Sequence, residues 1–146
     1  MLRSDPSAFL RNLRNKKTIK VPSETRYIRK VSEKILGSLS GFRLDESKIF
    51  DIKLCIEEAV RNAIVHGNHS DKRLVVRVTY RVEENRLVIE VEDEGVGFDH
   101  HGVADPTLTP HIMKNSGRGV YLIRKLMNGV MYNDIGSKIT MVKHLS

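Results

Sequence analysis

The spacing of apolar residues changes along the chain from a helical period to alternation, and this change restricts the possible folds. In residues 28–39 and 55–64 the apolar side chains recur three or four positions apart, which is typical of helices that cover a core. In residues 74–82 and 87–91 apolar side chains occupy every second position, and the polar stretch between these segments predicts a turn. The chain is therefore predicted to be of the α+β class, with helices on one face of a mixed, mostly antiparallel sheet.

Local signals predict where the elements begin and end. Ser23 is the predicted N-cap of the first helix, Gly37 and Gly41 mark its exit, and Gly67 should end the second helix. In chain order we expect an edge strand at 17–23, helices at 23–41 and 45–67, a strand hairpin at 74–91, a helix at 117–127 and two short closing strands. Residues 100–116 show no sustained period, and loops of this length are often lids over sites.

Composition and charge favour a small globular protein. The chain has 146 residues, 40% of them hydrophobic, and we expect a single domain at 17–146 after a flexible basic leader at 1–16. Much of the net charge of +7 lies in residues 1–20, so direct binding of nucleic acid is not expected. No apolar run is long enough for a membrane span, and a cytoplasmic location is expected. The single cysteine, Cys55, is expected in the core.

One polar column interrupts the apolar pattern of the second helix. Glu58, Asn62 and His66 recur every fourth residue and should form one edge beside the apolar stripe. A buried glutamate is costly unless it is paired, so this edge should face a polar ligand, a partner or water. From this helix alone, a solvated face is the simpler interpretation.

Two glycine-containing motifs follow the column. In EDEGVGFD, Asp93 at a strand end could accept a hydrogen bond from an exocyclic amine such as that of adenine, while Gly95 and Gly97 leave room for a flat ligand. Gly117 and Gly119 at a helix start leave N–H groups open to a phosphate chain. Each motif alone also describes a plain turn.

Taken together and in this order, the motifs resemble the GHKL ATPase superfamily, which includes the nucleotide-binding domains of gyrase and histidine kinases. EEAVRNAIVHGN, EDEGVGFD, SGRGVYLIRKLMN and GSKITMVK are more closely similar to the anti-sigma factor serine kinases, over about residues 18–145. The resemblance implies the two-layer α/β sandwich of the Bergerat fold, with ATP and Mg²⁺ as cofactors.

The resemblance also implies residue roles. Asn62 matches the asparagine that ligates Mg²⁺ at the ATP phosphates, and Glu58 matches the acidic residue taken as the general base. Asp93 matches the aspartate that reads the adenine amine. The other matches are Gly95 and Gly97 beside the base, Gly117 and Gly119 at the phosphates, and Ser137 near the adenine in place of a threonine.

Some positions depart from the family pattern or stay ambiguous. Asn115 stands where some members have a basic residue thought to touch the γ-phosphate, so Lys114 or Arg118 would have to substitute. His66 either hydrogen-bonds near the phosphates or only closes the helix. Asn128 replaces a common aspartate, and a structural role is expected for it.

The small size and Glu58 favour the serine kinase branch of the superfamily. The implied function is phosphorylation of a STAS-type anti-sigma factor antagonist and, in another partner state, sequestration of an RNA polymerase sigma factor; a homodimer is expected. Two alternatives stay open. One is a non-catalytic ATP-binding module that switches partners, and the other is a kinase switch for a process other than transcription.

Overall fold

Five strands form one sheet in the part of the chain that the structure, a computed structural model, describes: residues 15–95 and 115–146. The strands are β1 (Lys17–Pro22), β2 (Val75–Glu83), β3 (Arg86–Glu92), β4 (Gly129–Tyr132) and β5 (Lys138–His144). Their order across the sheet is β1-β2-β3-β5-β4, and each of these neighbouring pairs is antiparallel. The predicted α+β class and the edge position of β1 are confirmed, and the sheet is more uniformly antiparallel than the sequence indicated.

Within residues 17–95 and 115–146, three α-helices accompany the sheet. They are α1 (Ile28–Gly37), α2 (Glu46–Asn62) and α3 (Asn115–Leu126), with a 3₁₀ turn at Thr25–Tyr27 before α1 and a π turn at Ala63–Gly67 after α2. The carboxylate of Asp45 accepts the Lys48 N–H at 2.7 Å, which caps the start of α2. None of the helices in the described ranges is long and apolar enough to cross a membrane.

Ser23 corrects one prediction. It does not cap a helix, because its hydroxyl donates to the Leu74 carbonyl at 2.8 Å and its backbone N–H donates to the same oxygen at 3.2 Å. The helix α1 begins only at Ile28, after the 3₁₀ turn. Ser23 lies at the exit of an edge strand, where a partner across the sheet competes with the local backbone for its hydroxyl.

The core lies between the helices and one face of the sheet. Its largest fully buried side chains come from every layer: Ile35 of α1, Ile52, Ile56 and Val60 of α2, Val76 and Val78 of β2, Leu87 and Ile89 of β3, Ile123 of α3 and Met141 of β5. Cys55 is also fully buried among them, as predicted. The helix α2 is thus held against the sheet along its apolar face, and its polar edge is left at the margin of the core.

The end of α3 is tied to β5. Lys143 donates from Nζ to the Leu126 carbonyl at 2.6 Å, and Asn128 accepts the His144 N–H at 2.8 Å through Oδ1. These bonds satisfy a carbonyl of the helix terminus and fix the chain reversal into β4. Asn128 therefore has the kind of structural contact that its position suggested.

Candidate functional site

One pocket opens where α2 and its π turn meet α3 and the ends of β3 and β5. Its walls are largely apolar, formed by Ala59, Ala63, Val91, Val120, Ile123 and Ile139. Polar groups also line it, among them four of the residues singled out in the sequence: Asn62, His66, Asp93 and Ser137. A mostly apolar pocket with a few fixed polar groups suits a flat ring that carries one or two hydrogen-bonding atoms.

Asp93 lies at the inner end of this pocket, directly after β3. Its backbone N–H donates to the Ser137 carbonyl at 3.0 Å, and its Oδ1 accepts the Gly95 N–H at 2.8 Å. Burial raises the pKa of Asp93 above its ordinary value, while the Gly95 N–H opposes that rise. The side chain is therefore a partly buried acceptor held at the pocket wall.

Two glycines make room for this carboxylate. A Cβ atom on Gly67 would overlap Oδ2 of Asp93, and a Cβ atom on Gly95 would overlap the Gly67 carbonyl. The π turn and the segment after β3 therefore approach each other more closely than any side chain allows. The sequence predicted room at Gly95 but assigned Gly67 only to a helix end, so the second half of this contact was missed.

Glu58 and Asn62 lie close together on α2, and Asn62 lines the pocket. Both are partly buried on α2 and both face Gly119 of α3. A Cβ atom on Gly119 would stand 2.7 Å from Nδ2 of Asn62 and 3.0 Å from Oε2 of Glu58. The other oxygen of Glu58, Oε1, accepts a hydrogen bond from Arg61 at 3.2 Å, which restrains the carboxylate.

The third member of the column, His66, lies beyond a break in the helical period. Residues 63–67 form a π turn, in which the Asn68 N–H donates to the Ala63 carbonyl at 2.8 Å. His66 is exposed but still lines the pocket with Asn62. Two residues of the column, Asn62 and His66, therefore line one pocket, although the simple four-residue spacing does not continue as an α-helix. Single π turns of this kind are often found at functional sites.

Ser137 is held by a tight turn between β4 and β5. Asn133 donates from Nδ2 to the Ser137 hydroxyl at 2.9 Å and accepts the Ser137 N–H through Oδ1 at 2.8 Å. Gly136, which also lines the pocket, has a φ of 76°, a conformation that favours glycine. The turn thus presents Ser137 beside Asp93, whose N–H it accepts.

The structure gives less detail for the remaining predicted site residues. Gly117 and Arg118 lie in the first turn of α3, and the Arg118 side chain is exposed. Gly97 and Lys114 lie outside the described residues, as do residues 1–14 of the predicted leader. Gly67, Tyr132 and Gly136 line the pocket without having been predicted.

Known proteins resemble this chain over most of its length. Residues 21–143 match the family described as the histidine kinase-like ATPase domain. The chain is 31% identical to the serine-protein kinase RsbW of Bacillus subtilis (strain 168), over 88% of this chain and 84% of that protein. It is 27% identical to the serine-protein kinase RsbW of Listeria monocytogenes serovar 1/2a, over 92% of this chain and 90% of that protein.

A solved structure has a similar fold. The crystal structure of the RsbU and RsbW domains of Rv1364c from Mycobacterium tuberculosis aligns with a TM-score of 0.60 at 20% sequence identity. The alignment covers 89% of this chain but 32% of that longer chain. This likeness is one of fold.

Proposed function

Because the chain belongs to the histidine kinase-like ATPase domain family, we propose that it is an ATP-dependent serine/threonine protein kinase that also acts as an anti-sigma factor. Relatives of similar length are named serine-protein kinases. The observation that carries the proposal is that Asn62 lines the same pocket as Asp93, while Glu58 lies beside Asn62 against Gly119. One cavity thus offers both a base-binding end and an end suited to phosphate chemistry.

The Asp93 end of the pocket fits an adenine ring. Apolar side chains such as Val91 and Ile139 can cover the faces of the ring, and the Asp93 carboxylate can accept its exocyclic N–H. Gly67 and Gly95 leave the carboxylate reachable because neither places a side chain over it. Ser137 would lie beside the same base.

The Glu58 and Asn62 end fits Mg²⁺ and the phosphates. The Asn62 amide oxygen and the Glu58 carboxylate are hard oxygen donors, which Mg²⁺ prefers over nitrogen or sulfur. In this proposal Asn62 holds the ion, Gly117 and Gly119 face the phosphates, and Lys114 or Arg118 contacts the γ-phosphate. Mg²⁺ bound there would neutralise charge on the phosphates during transfer.

Glu58 is the proposed general base. Its Oε2 would accept the proton of a partner's serine or threonine hydroxyl as that oxygen forms a bond to the γ-phosphorus; the bond from this phosphorus to the bridging oxygen of the β-phosphate breaks, and ADP leaves. The Arg61 guanidinium donates to the opposite oxygen, Oε1, at 3.2 Å, which leaves Oε2 available for the proton. Proton removal then needs no rearrangement of the helix.

The partners follow from the branch of the family. We assign a STAS-type anti-sigma factor antagonist as the phosphorylated protein and an RNA polymerase sigma factor as the sequestered one. A cytoplasmic homodimer belongs to the same proposal. The chain acts on transcription through these proteins rather than by contacting nucleic acid.

A transfer assay tests the kinase function. Wild-type protein, labelled ATP and a STAS-domain antagonist encoded next to its gene should give a phosphorylated antagonist. Glu58→Gln should lower the transfer rate by about 10² to 10⁴-fold with ATP affinity little changed, since it removes only the general base. The matched control is Glu57→Gln on the same helix, because Glu57 accepts a bond from Ser32 at 2.6 Å rather than facing Gly119.

The alternatives have distinct outcomes in the same assay. Wild-type protein that binds ATP but transfers nothing would establish the non-catalytic switch module instead. Co-purification from cells then separates the two kinase proposals. Recovery of a sigma factor supports the anti-sigma role, whereas recovery of a STAS protein without a sigma factor supports control of another process.

A further inference from the structure

Asn68, the residue after the π turn, has a buried polar side chain in which both Oδ1 and Nδ2 are hydrogen-bonded. It is 1% exposed. Its Oδ1 accepts the Glu94 N–H at 2.8 Å, and its Nδ2 donates to the Ser23 hydroxyl at 2.9 Å and to the Val75 carbonyl at 3.1 Å. The amide therefore joins three segments that are distant in sequence.

Glu94 closes this set of bonds into a ring. Its side-chain Oε1 accepts the Val75 N–H at 2.9 Å, while its own N–H is bound by Asn68. The N–H and C=O of Val75 are thus held by two side chains at the start of β2. Asp93, just before Glu94, has its own N–H fixed by the Ser137 carbonyl. Two consecutive peptide groups at the pocket wall are therefore anchored.

The backbone just after Asn68 has an unusual conformation that keeps the Asn68 side chain in the interior. His69 and Ser70 both have positive φ, at 52° and 56°, which side-chain-bearing residues seldom adopt. Such a turn costs free energy and persists only where the surrounding contacts require it. Here it returns the chain to Ser70, whose N–H donates to the Ile64 carbonyl at 2.8 Å, and leaves Asn68 inside.

We propose that Asn68 is a positioning residue for base recognition: through the Glu94 backbone it sets the Asp93 carboxylate at the distance from Gly67 at which an exocyclic amine can reach it. This inference rests on the proposed binding of adenine by Asp93. Glu94 is the second member of the brace, because its side chain anchors the same peptide from the other side. Neither residue touches the nucleotide.

A purely structural Asn68 and a positioning Asn68 predict different binding results. Loss of a structural residue lowers stability and weakens all nucleotides alike. Loss of a positioning residue weakens the preference for a base that carries the 6-amino group over a base that lacks it. The readout is therefore a ratio: the Kd of purine riboside triphosphate, which lacks the 6-amino group, divided by the Kd of ATP.

The experiment measures this ratio by fluorescence competition for the full-length wild type, Asn68→Ala, Glu94→Ala and Ser23→Ala. Wild type should prefer ATP by about tenfold, the scale of one hydrogen bond. Asn68→Ala should bring the ratio close to one. Ser23→Ala is the matched control, because it removes one bond to Nδ2 and the bond to Leu74 but leaves the bond to Glu94. It should lower the melting temperature and leave the ratio unchanged.

The outcomes separate this inference from its premise. A wild-type ratio near one would overturn the assignment of Asp93 to the adenine amine, and this inference with it. If the ratio is about ten both in the wild type and in Asn68→Ala, the positioning role alone is overturned. If Asn68→Ala does not fold, Glu94→Ala decides the matter, because Glu94 is exposed: a ratio lowered about threefold supports the brace, and an unchanged ratio rejects it.

Discussion

At the residue scale, Gly119 is the point where α3 packs closely against Asn62 and Glu58 of α2. Gly119→Ala should lower phosphoryl transfer at least tenfold, because the new methyl group would displace the Asn62 amide and crowd Oε2 of Glu58. Its effect on stability should stay within about 1 kcal/mol, since the amide can turn away and alanine favours a helix. Transfer kinetics and thermal unfolding measured on the same preparation separate the two effects.

Gly37 supplies the control for this substitution. It ends α1, and a Cβ atom there would meet nothing within 4 Å. Gly37→Ala should therefore leave transfer unchanged. Equal transfer rates for Gly119→Ala and wild type would show that the close packing of α3 on Asn62 has no part in the chemistry.

The Asp93 carboxylate is expected to bind nucleotide but to lower the free energy of unfolding at neutral pH. Its pKa is raised by burial, so the folded state holds this proton more tightly than the unfolded chain does. The contribution of Asp93 to wild-type stability should therefore fall as the pH rises from the unfolded pKa of about 3.9 through the higher folded pKa. Asp93→Asn removes this penalty, so it should raise the free energy of unfolding at pH 7 and weaken ATP binding at least tenfold.

Asp71 provides a control of opposite sign. Its hydrogen bonds with Arg73 lower its pKa to about 2, so its contribution to stability is present above the unfolded pKa and is lost as the pH falls towards 2. Asp71→Asn should therefore destabilise at neutral pH relative to acid. Urea unfolding at several pH values measures both variants. A destabilised Asp93→Asn at pH 7 would contradict the burial penalty.

How far the sequence alone could predict the site depends on the range of each contact. Glu58 and Asn62 could be predicted from the sequence because a helical column and an ordered set of motifs both indicate them. Asn68 was not, since its partners Ser23 and Glu94 lie 45 and 26 positions away and nothing local distinguishes it from a helix-ending residue. Gly67 was predicted only as the end of a helix, because its contact with the Asp93 carboxylate exists only in the folded chain.

At the element scale, the same distinction explains which boundaries were right. Alternation and polar turn residues are local signals, and they located β2 and β3 closely. The π turn at Ala63–Gly67 was predicted as ordinary α-helix, because no residue type marks an inserted position. Ser23 had the sequence of a cap but the structure of a strand exit, since its hydroxyl is used by Leu74.

The turn between β2 and β3 offers a test of local backbone strain. Glu84 and Asn85 have φ values of 50° and 60°, as in the type I′ turns that favour Asn-Gly. The double substitution Glu84→Asn with Asn85→Gly should raise the free energy of unfolding by about 1 kcal/mol. Urea denaturation measures this gain, and a loss of stability would show that these residues make compensating contacts.

Activity serves as the internal control for that variant. The turn lies before the start of β3, whereas Asp93 follows its end, about 26 Å away at the usual rise of a strand. Transfer rates should therefore equal those of wild type. A changed rate would mean that the hairpin transmits strain along β3 into the pocket.

At the scale of the whole molecule, the pocket depends on both layers at once. The helix α2 contributes Ile52, Cys55 and Ile56 to the core, and one turn later it supplies Glu58 and Asn62 to the site. Asp93 comes from the sheet, at the end of β3. A ligand that contacts both layers can bind only the folded chain, so its binding free energy should add to that of folding.

Cys55 allows this coupling to be measured with a thiol reagent and without introducing a new cysteine. It is the single cysteine, it is fully buried, and burial raises its pKa to about 12, so its thiol should react only when the chain opens. If reclosing is fast, the labelling rate follows the open population, and ATP at 100 times its Kd should slow labelling about 100-fold.

The Asp93→Asn variant gives the decisive comparison for this thiol experiment. At the ATP concentration that slows labelling of the wild type about 100-fold, labelling of this variant should be slowed about tenfold or less, because its affinity for ATP is at least tenfold lower. Suppose that ATP is bound to wild-type protein, as shown independently by fluorescence, and the labelling of Cys55 is still not slowed. Then α2 opens at Cys55 while the nucleotide stays in place, and the core under the site is not a single cooperative unit with it.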